Sequence, residues 1–333
     1  MSKRSARQRC RHRSGAALCA MLLLFAVCAS ARTSAQTAKE NAGKQLVIID
    51  TDIGDDIDDA FALALAERSP ELRMLGITTA FGDTAGRAQL TLKFLDSTGF
   101  GDVPVAAGVA TPAKTNFTQG LYTSGGQIIN PQHLSGPDFL LTQIRKYPGL
   151  ITLIAIGPET NLAAAIDKDA ATFRKLKRIV IMGGSVDRGY QGPDGPGRPQ
   201  PEWNIVCDIA AARKVFASGV PIFMMPLDST MLRFDQARLT TFFAQQTPLT
   251  QQLQMLYGYW SAAGKQTTPT LFDPMVVAYA IDPELCPTTP LHLTIDDKGS
   301  TLRSAGAPNV NACLKSDPDA FFRFYLARTA PTK

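Results

Sequence analysis

Residues 50–59 read "DTDIGDDIDD", and six of the ten are aspartates: Asp50, Asp52, Asp55, Asp56, Asp58 and Asp59. Carboxylates at contact distance cannot all ionise unless something positive neutralises them. The stretch contains no lysine or arginine, so it points to a bound cation. Oxygen-only donors suit a hard ion, Ca²⁺ or Mg²⁺, rather than zinc or copper. Helix capping also uses acids, because the positive end of a helix favours them, but it accounts only for Asp58 and Asp59.

The elements around this stretch must position it. "QLVII" precedes it as a short apolar run rich in β-branched residues, and "AFALALA" follows as a run of helix formers. A strand-to-helix turn lets Asp52, Asp58 and Asp59 converge, with Gly54 permitting the tight path. The same alternation continues down the chain. "LRMLGITTA", "VPVAAG", "LITLIAIG", "IVIMGG" and "PIFMMPLD" read as strands; "TAGRAQLTLKFLDSTG", "PETNLAAAIDKD" and "DIAAARKVFASG" read as helices. Continuous apolar strands alternating with helices predict a single-domain α/β fold, an open, mostly parallel sheet with helices on both faces. In such sheets ligands bind at the carboxyl ends of the strands, where Asp52, Gly157, Gly183 and Asp228 are all expected. "SVDRGYQGPDGPGRPQP" (185–201) is too rich in Pro and Gly for helix or central strand, and next to a strand end it reads as an active-site loop. "TPLHLTIDDKGSTLRS", from 289, reads as a small C-terminal hairpin. No internal repeat is evident.

Residues 1–35 combine a basic start, the apolar run "GAALCAMLLLFAVCA" and small-residue cleavage sites near 31 or 35. This is the pattern of a secretory signal peptide, and it predicts a secreted or periplasmic protein with no membrane association once the signal is removed. The working domain is then 36–333. The whole chain carries a formal charge of +5, but six of its basic residues lie within 1–31, leaving 28 Lys+Arg against 29 Asp+Glu. That balance gives no case for nucleic-acid binding. Cys207, Cys286 and Cys313 remain. Cys286 and Cys313 are close enough in sequence to bridge, and two buried free thiols are the alternative. No Cys/His cluster has zinc spacing.

Five segments, in order, resemble the inosine-uridine preferring nucleoside hydrolases. That family opens on aspartate, any residue, aspartate, Pro, Gly, any residue and Asp-Asp-Ala. "DTDIGDDIDDA" matches with Ile53 for Pro and two extra residues; Asp58-Asp59 is taken as the final pair because Ala60 and the helix follow, with Asp55-Asp56 as the rival alignment. "ITTAFGD" (77–83), "AIGPETNLA" (155–163) with "IMGG" (181–184), "PEWNIVCDIAAARKVF" (201–216) and "FDPMVVA" (272–278) match the later segments. The resemblance implies hydrolysis of the N-glycosidic bond of ribonucleosides by Ca²⁺-activated water, and commonly a homodimer or homotetramer. It implies that Asp52 is ligand and base, that Asp59, the Ile156 carbonyl and Asp273 are ligands, and that Asp58, Asp83, Glu202 and Asn204 hold the ribose.

One departure bears on the leaving base. Many members place His beside the last ligand to protonate it, and here that position is Phe272. Two routes are expected in its place: His133 reaching in from its loop, or a purine activated by stacking on aromatic residues such as Trp260 and Tyr257. The base preference is left open. Two readings compete with the hydrolase. A Mg²⁺-dependent phosphatase of the haloacid dehalogenase type also opens on Asp-x-Asp after a strand, but it wants Thr or Val where Gly54 stands. A non-catalytic periplasmic nucleoside or sugar binding protein usually has two domains and no carboxylate cluster.

Overall fold

The computed structural model describes residues 43–124, 134–192, 195–264 and 266–331. The expected signal peptide and His133 lie outside the described residues.

Twelve strands occur among the described residues: β1 Gln45–Thr51, β2 Leu72–Thr79, β3 Val105–Ala107, β4 Ile151–Ala155, β5 Arg178–Met182, β6 Gln191–Gly192, β7 Gly195–Pro196, β8 Ile222–Met225, β9 Thr289–Leu291, β10 Leu293–Ile295, β11 Thr301–Arg303 and β12 Val310–Ala312. Eight of them form one sheet in the order β3-β2-β1-β4-β5-β8-β12-β9. Every pairing in it is parallel except β12 with the edge strand β9. This is the mostly parallel α/β sheet expected from the sequence. The expected hairpin also forms, with β10 and β11 antiparallel.

The helices are α1 Asp58–Glu67, α2 Thr84–Thr98, α3 Gly136–Lys146, α4 Thr160–Phe173, α5 Trp203–Cys207, α6 Ile209–Phe216, α7 Leu227–Thr230, α8 Gln236–Phe243, α9 Pro248–Gly264, α10 Pro274–Ile281 and α11 Pro318–Thr329. Successive side chains of β1 point to opposite faces, and each face has its own core. Val47 and Ile49 pack in one core with residues of α1, α2, α9, α10 and α11. Ile48 packs in the other with residues of α3, α4 and α6. Cys286 and Cys313 form a disulfide with Cα atoms 5.6 Å apart. It ties the turn after α10 to the end of β12 and resolves the open choice between bridge and free thiols. Cys207 is free.

From β1 the chain steps outward through β2 and β3 on one side, and through β4, β5 and β8 on the other. The switch in direction therefore lies between β1 and β4. The connections from their carboxyl ends lead to opposite faces, to α1 on one and α4 on the other, and leave a crevice, and the segments after β1, β4 and β5 run past it.

Candidate active site

The turn after β1 is built around Gly54, at φ +125°. A Cβ there would sit 2.0 Å from the Phe117 ring, so both backbone and space require glycine. The segment after β3 clamps the turn from outside. Gln119 donates from its backbone to the Gly54 carbonyl at 2.9 Å and from its side chain to the Asp56 carbonyl at 2.6 Å, and Thr118 donates to the Asp55 carbonyl at 2.7 Å.

The turn is not without a local cation, as its sequence suggested. Arg87 of α2 reaches into it, nearly fully buried, and pairs with Asp55 at 2.9 Å. Its guanidinium also donates to the carbonyls of Phe81 at 2.8 Å, Ile53 at 2.9 Å and Asp52, and lies over the rings of Phe81 and Phe117. Arg87 thus neutralises Asp55 and fixes the path of the chain on either side of Ile53.

Among the described residues no lysine or arginine pairs with Asp58, Asp59 or Asp273. All three are buried, and one carboxylate oxygen of each lies within 4.8 Å of the others. Asp58 accepts from the backbone N–H of Asp273 at 3.3 Å, and Asp59 accepts from the Thr51 hydroxyl. Asp58 and Asp59 stand in the first turn of α1, where the helix end favours acids, but the cap position is Ile57 and neither acid fills it; Asp273 precedes α10 and makes no side-chain capping bond. Burial raises all three carboxyls well above their usual range, and their neighbours raise them further: Asp56 for Asp58, Asp52 and Asp58 for Asp59, Asp58 and Asp59 for Asp273. Three buried, crowded carboxylates offering only oxygen fit a hard divalent cation.

Asp52 lies on the same crevice. Burial raises its carboxyl to about 7, against the pull of Arg87. A Cβ on Gly157 would stand 2.9 Å from its Oδ1, so glycine at the end of β4 makes room for it. Ile156 also faces the cavity. Of the four predicted ligands, Asp59 and Asp273 belong to the triad, Asp52 and Ile156 line the cavity beside it, and the triad adds Asp58, which was expected on the sugar.

The cavity measures about 560 Å³. Glu202 and Asn204 line it from the start of α5. Glu202 accepts from the backbone N–H groups of Asn204 and Gly184, each at 2.9 Å, and of Ile205 at 3.3 Å. Burial raises its carboxyl to about 7 against these bonds. Asn204 donates to the Met182 carbonyl at 3.2 Å. Trp260 of α9 and Phe272 supply aromatic wall, together with Trp203 and Tyr190.

Several expectations are corrected. Asp83 is exposed and caps α2, accepting from the Gly86 N–H at 2.9 Å, and it does not line the cavity. A short acid before a helix is recruited by the free N–H groups of the first turn. Tyr257 packs between Phe243 and Trp260, donates to the Thr267 carbonyl at 2.9 Å, and stays outside the lining. Asp228 does not enter the crevice either. It accepts from the N–H groups of Val186, Asp187 and Arg188 at 2.9, 2.7 and 3.1 Å, anchoring the Gly/Pro-rich loop.

That loop carries a site residue the sequence reading missed. Tyr190 meets Phe272 edge to face at 6.1 Å between centroids, and its hydroxyl accepts from the Trp203 N–H at 3.1 Å. An aromatic residue inside a Gly/Pro-rich loop was the available signal. Glu159 is fully buried with neither carboxylate oxygen hydrogen-bonded, and burial keeps it well above the usual range for a glutamate.

The family model for inosine-uridine preferring nucleoside hydrolase matches residues 47–323. The chain is 32% identical over 272 residues to the non-specific ribonucleoside hydrolase RihC of Salmonella agona, covering 76% of this chain and 84% of that protein. It is 38% identical over 197 residues to uridine nucleosidase 1 of Arabidopsis thaliana, covering 55% of this chain and 56% of that one. Its fold superposes on a plant nucleoside hydrolase, the PpNRh1 enzyme, with a TM-score of 0.74 at 27% identity, over 86% of this chain and 99% of the other. The chain belongs to the inosine-uridine preferring nucleoside hydrolase family, metal-dependent hydrolases that split the N-glycosidic bond of ribonucleosides into ribose and free base.

Proposed function

We propose that this chain hydrolyses purine ribonucleosides with Ca²⁺ as its metal. The observation that carries the proposal is the convergence of Asp58, Asp59 and Asp273 at a cavity wide enough for a nucleoside. Asp59, Asp273, Asp52 and the Ile156 carbonyl would hold the ion, with Asp58 placed to share between ion and sugar. When bound, a hard divalent cation lowers the pKa of a coordinated water and clamps the ribose diol.

The chain's own residues do the rest. Asp52 takes the proton of the attacking water. Asp58, Glu202 and Asn204 orient the ribose through its hydroxyls. The surrounding carboxylates favour the positive charge that develops on the sugar as the bond to the base breaks. Trp260, Phe272 and Tyr190 offer faces and edges against which a purine packs and from which water is excluded. Phe272 carries no proton to donate, which favours a leaving group that stacking and solvent can activate.

Export is proposed from the N-terminal segment, and the Cys286–Cys313 disulfide supports an oxidising compartment. Among the described residues no helix is long and apolar enough to cross a membrane. A homodimer or homotetramer is proposed from the family resemblance. The test is release of ribose from a panel of ribonucleosides before and after removal of metal. Purine nucleosides are expected to be cleaved only by the metal-loaded protein, and full activity after verified metal removal defeats the reading.

A further inference from the structure

We infer that Asp56 is a base-recognition residue, and that it selects nucleobases presenting N–H donors on their rim. This rests on the hydrolase reading of the same cavity.

Asp56 belongs to the two residues by which this turn exceeds the motif it resembles. The neighbouring carboxylates are otherwise engaged. Asp55 turns to Arg87 and Thr115, and Asp58 turns to Asp273. Asp56 opens on the cavity, and its side chain is solvent-accessible there. Its position is nonetheless set. Its Oδ1 accepts from the Ile57 N–H at 2.7 Å, its carboxyl faces the indole N–H of Trp260, and Gln119 holds its carbonyl at 2.6 Å. Among the described residues no lysine or arginine lies within ion-pair distance of it.

A carboxylate has about four acceptor positions. The Ile57 N–H takes one here and the Trp260 N–H faces another, and the remainder are open to a ligand. The indole N–H lies in the plane of the Trp260 ring, so Asp56 stands at the rim of that ring. A purine stacked on Trp260 brings its own rim to the same place. There an anion accepts from ring or exocyclic N–H groups and repels bare carbonyl or ring-nitrogen lone pairs. Hydrogen bonds to a charged acceptor are the stronger kind, and an unmatched one carries a desolvation penalty, so the contact discriminates among bases.

The test compares kcat/KM for guanosine, inosine and purine riboside, whose base has no N–H donor, using the Ca²⁺-loaded wild type, Asp56→Asn and Asp56→Ala. The readout is the ratio of each donor-bearing nucleoside to purine riboside. Any general damage, including a loosened Trp260, affects both substrates and cancels. The ratio is expected to fall at least tenfold in Asp56→Ala and by a smaller factor in Asp56→Asn, which keeps an acceptor and its contacts with Ile57 and Trp260. If Asp56→Ala does not fold, Asp56→Asn decides alone. An unchanged ratio overturns the inference while leaving the hydrolase intact. A wild type that releases no ribose, even from p-nitrophenyl riboside, removes the hydrolase reading and this inference with it.

Discussion

The backbone N–H of Asp273 donates to the carboxylate of Asp58 at 3.3 Å, although 215 residues separate them. The bond joins the start of α10 to the start of α1 and brings the third carboxylate of the triad into place. Removing the charge of one member should therefore empty the site without unfolding it. Asp273→Asn and Asp59→Asn are each expected to weaken Ca²⁺ binding at least about a hundredfold by calorimetry. In wild type, saturating Ca²⁺ should raise the melting temperature. At a thousandfold excess over Kd the stabilisation is about 4 kcal/mol. Either variant showing the wild-type calcium shift excludes that residue as a ligand.

Sugar recognition follows from the same corner of the cavity. If Asp58, Glu202, Asn204 and the ion share the ribose hydroxyls, a 2′-deoxynucleoside lacks a ligand and leaves buried polar groups unpaired. The loss should be about 3 kcal/mol or more, on the order of a hundredfold in kcat/KM. Comparable turnover of inosine and 2′-deoxyinosine would show that the sugar is held elsewhere.

The absence of histidine beside Asp273 makes the leaving group the sensitive point. Trp260→Ala should lower kcat for inosine far more than for p-nitrophenyl riboside, whose leaving group departs without a proton. Uridine should be a poorer substrate than inosine for the wild type. If His133→Ala produces the selective loss and Trp260→Ala does not, the proton comes from the histidine.

Arg87 is predicted to be structural and indispensable. It is the buried partner of Asp55 and donates to two carbonyls of the turn, Asp52 and Ile53, and to that of Phe81. Arg87→Met leaves Asp55 without its cation and those carbonyls without a donor. A loss of about 3–5 kcal/mol is expected in urea denaturation. Arg87→Met with Asp55→Asn should recover part of it. No recovery would mean that the carbonyl bonds, rather than the ion pair, dominate.

How much of this was legible depends on how local each determinant is. The sheet was readable because each strand is a short apolar run closed by its own turn signal. Asp52, Asp58 and Asp59 were readable because they share one turn, and Glu202 and Asn204 because "PEWN" resembles a segment of the family. Arg87 was not, since nothing in "TAGRAQL" marks a residue that will pair with Asp55, 32 positions earlier. Thr118 and Gln119 were hidden for the same reason: their partners lie some sixty residues away. Asp83 and Asp228 misled because a lone aspartate near a strand end has local uses, one as a helix cap and one as an anchor for backbone N–H groups. Tyr257 and Trp260 lie three apart on α9, yet only Trp260 faces the cavity. Aromatic content alone did not say which.

The pH dependence of stability should carry the signature of a carboxyl remote from the triad. Glu67 closes α1, where the negative end of the helix disfavours an anion. It is buried, and among the described residues its carboxyl accepts only from the Thr98 hydroxyl, at 2.9 Å. Burial raises it from near 4.5 to about 8, with Thr98 and Arg68 opposing. The folded state therefore keeps this proton through a range in which the unfolded chain has lost it. Stability from this group is fully present below about 4.5 and declines as the pH rises to about 8. Glu67→Gln keeps an acceptor for Thr98 and has no proton to lose. Measured by urea denaturation at saturating Ca²⁺, the variant should match wild type near pH 4.5 and exceed it by a few kcal/mol, on the order of the linked shift, near pH 8. Parallel pH profiles for the two proteins would mean that Glu67 ionises in the fold at its ordinary pKa, and that its burial is relieved by water.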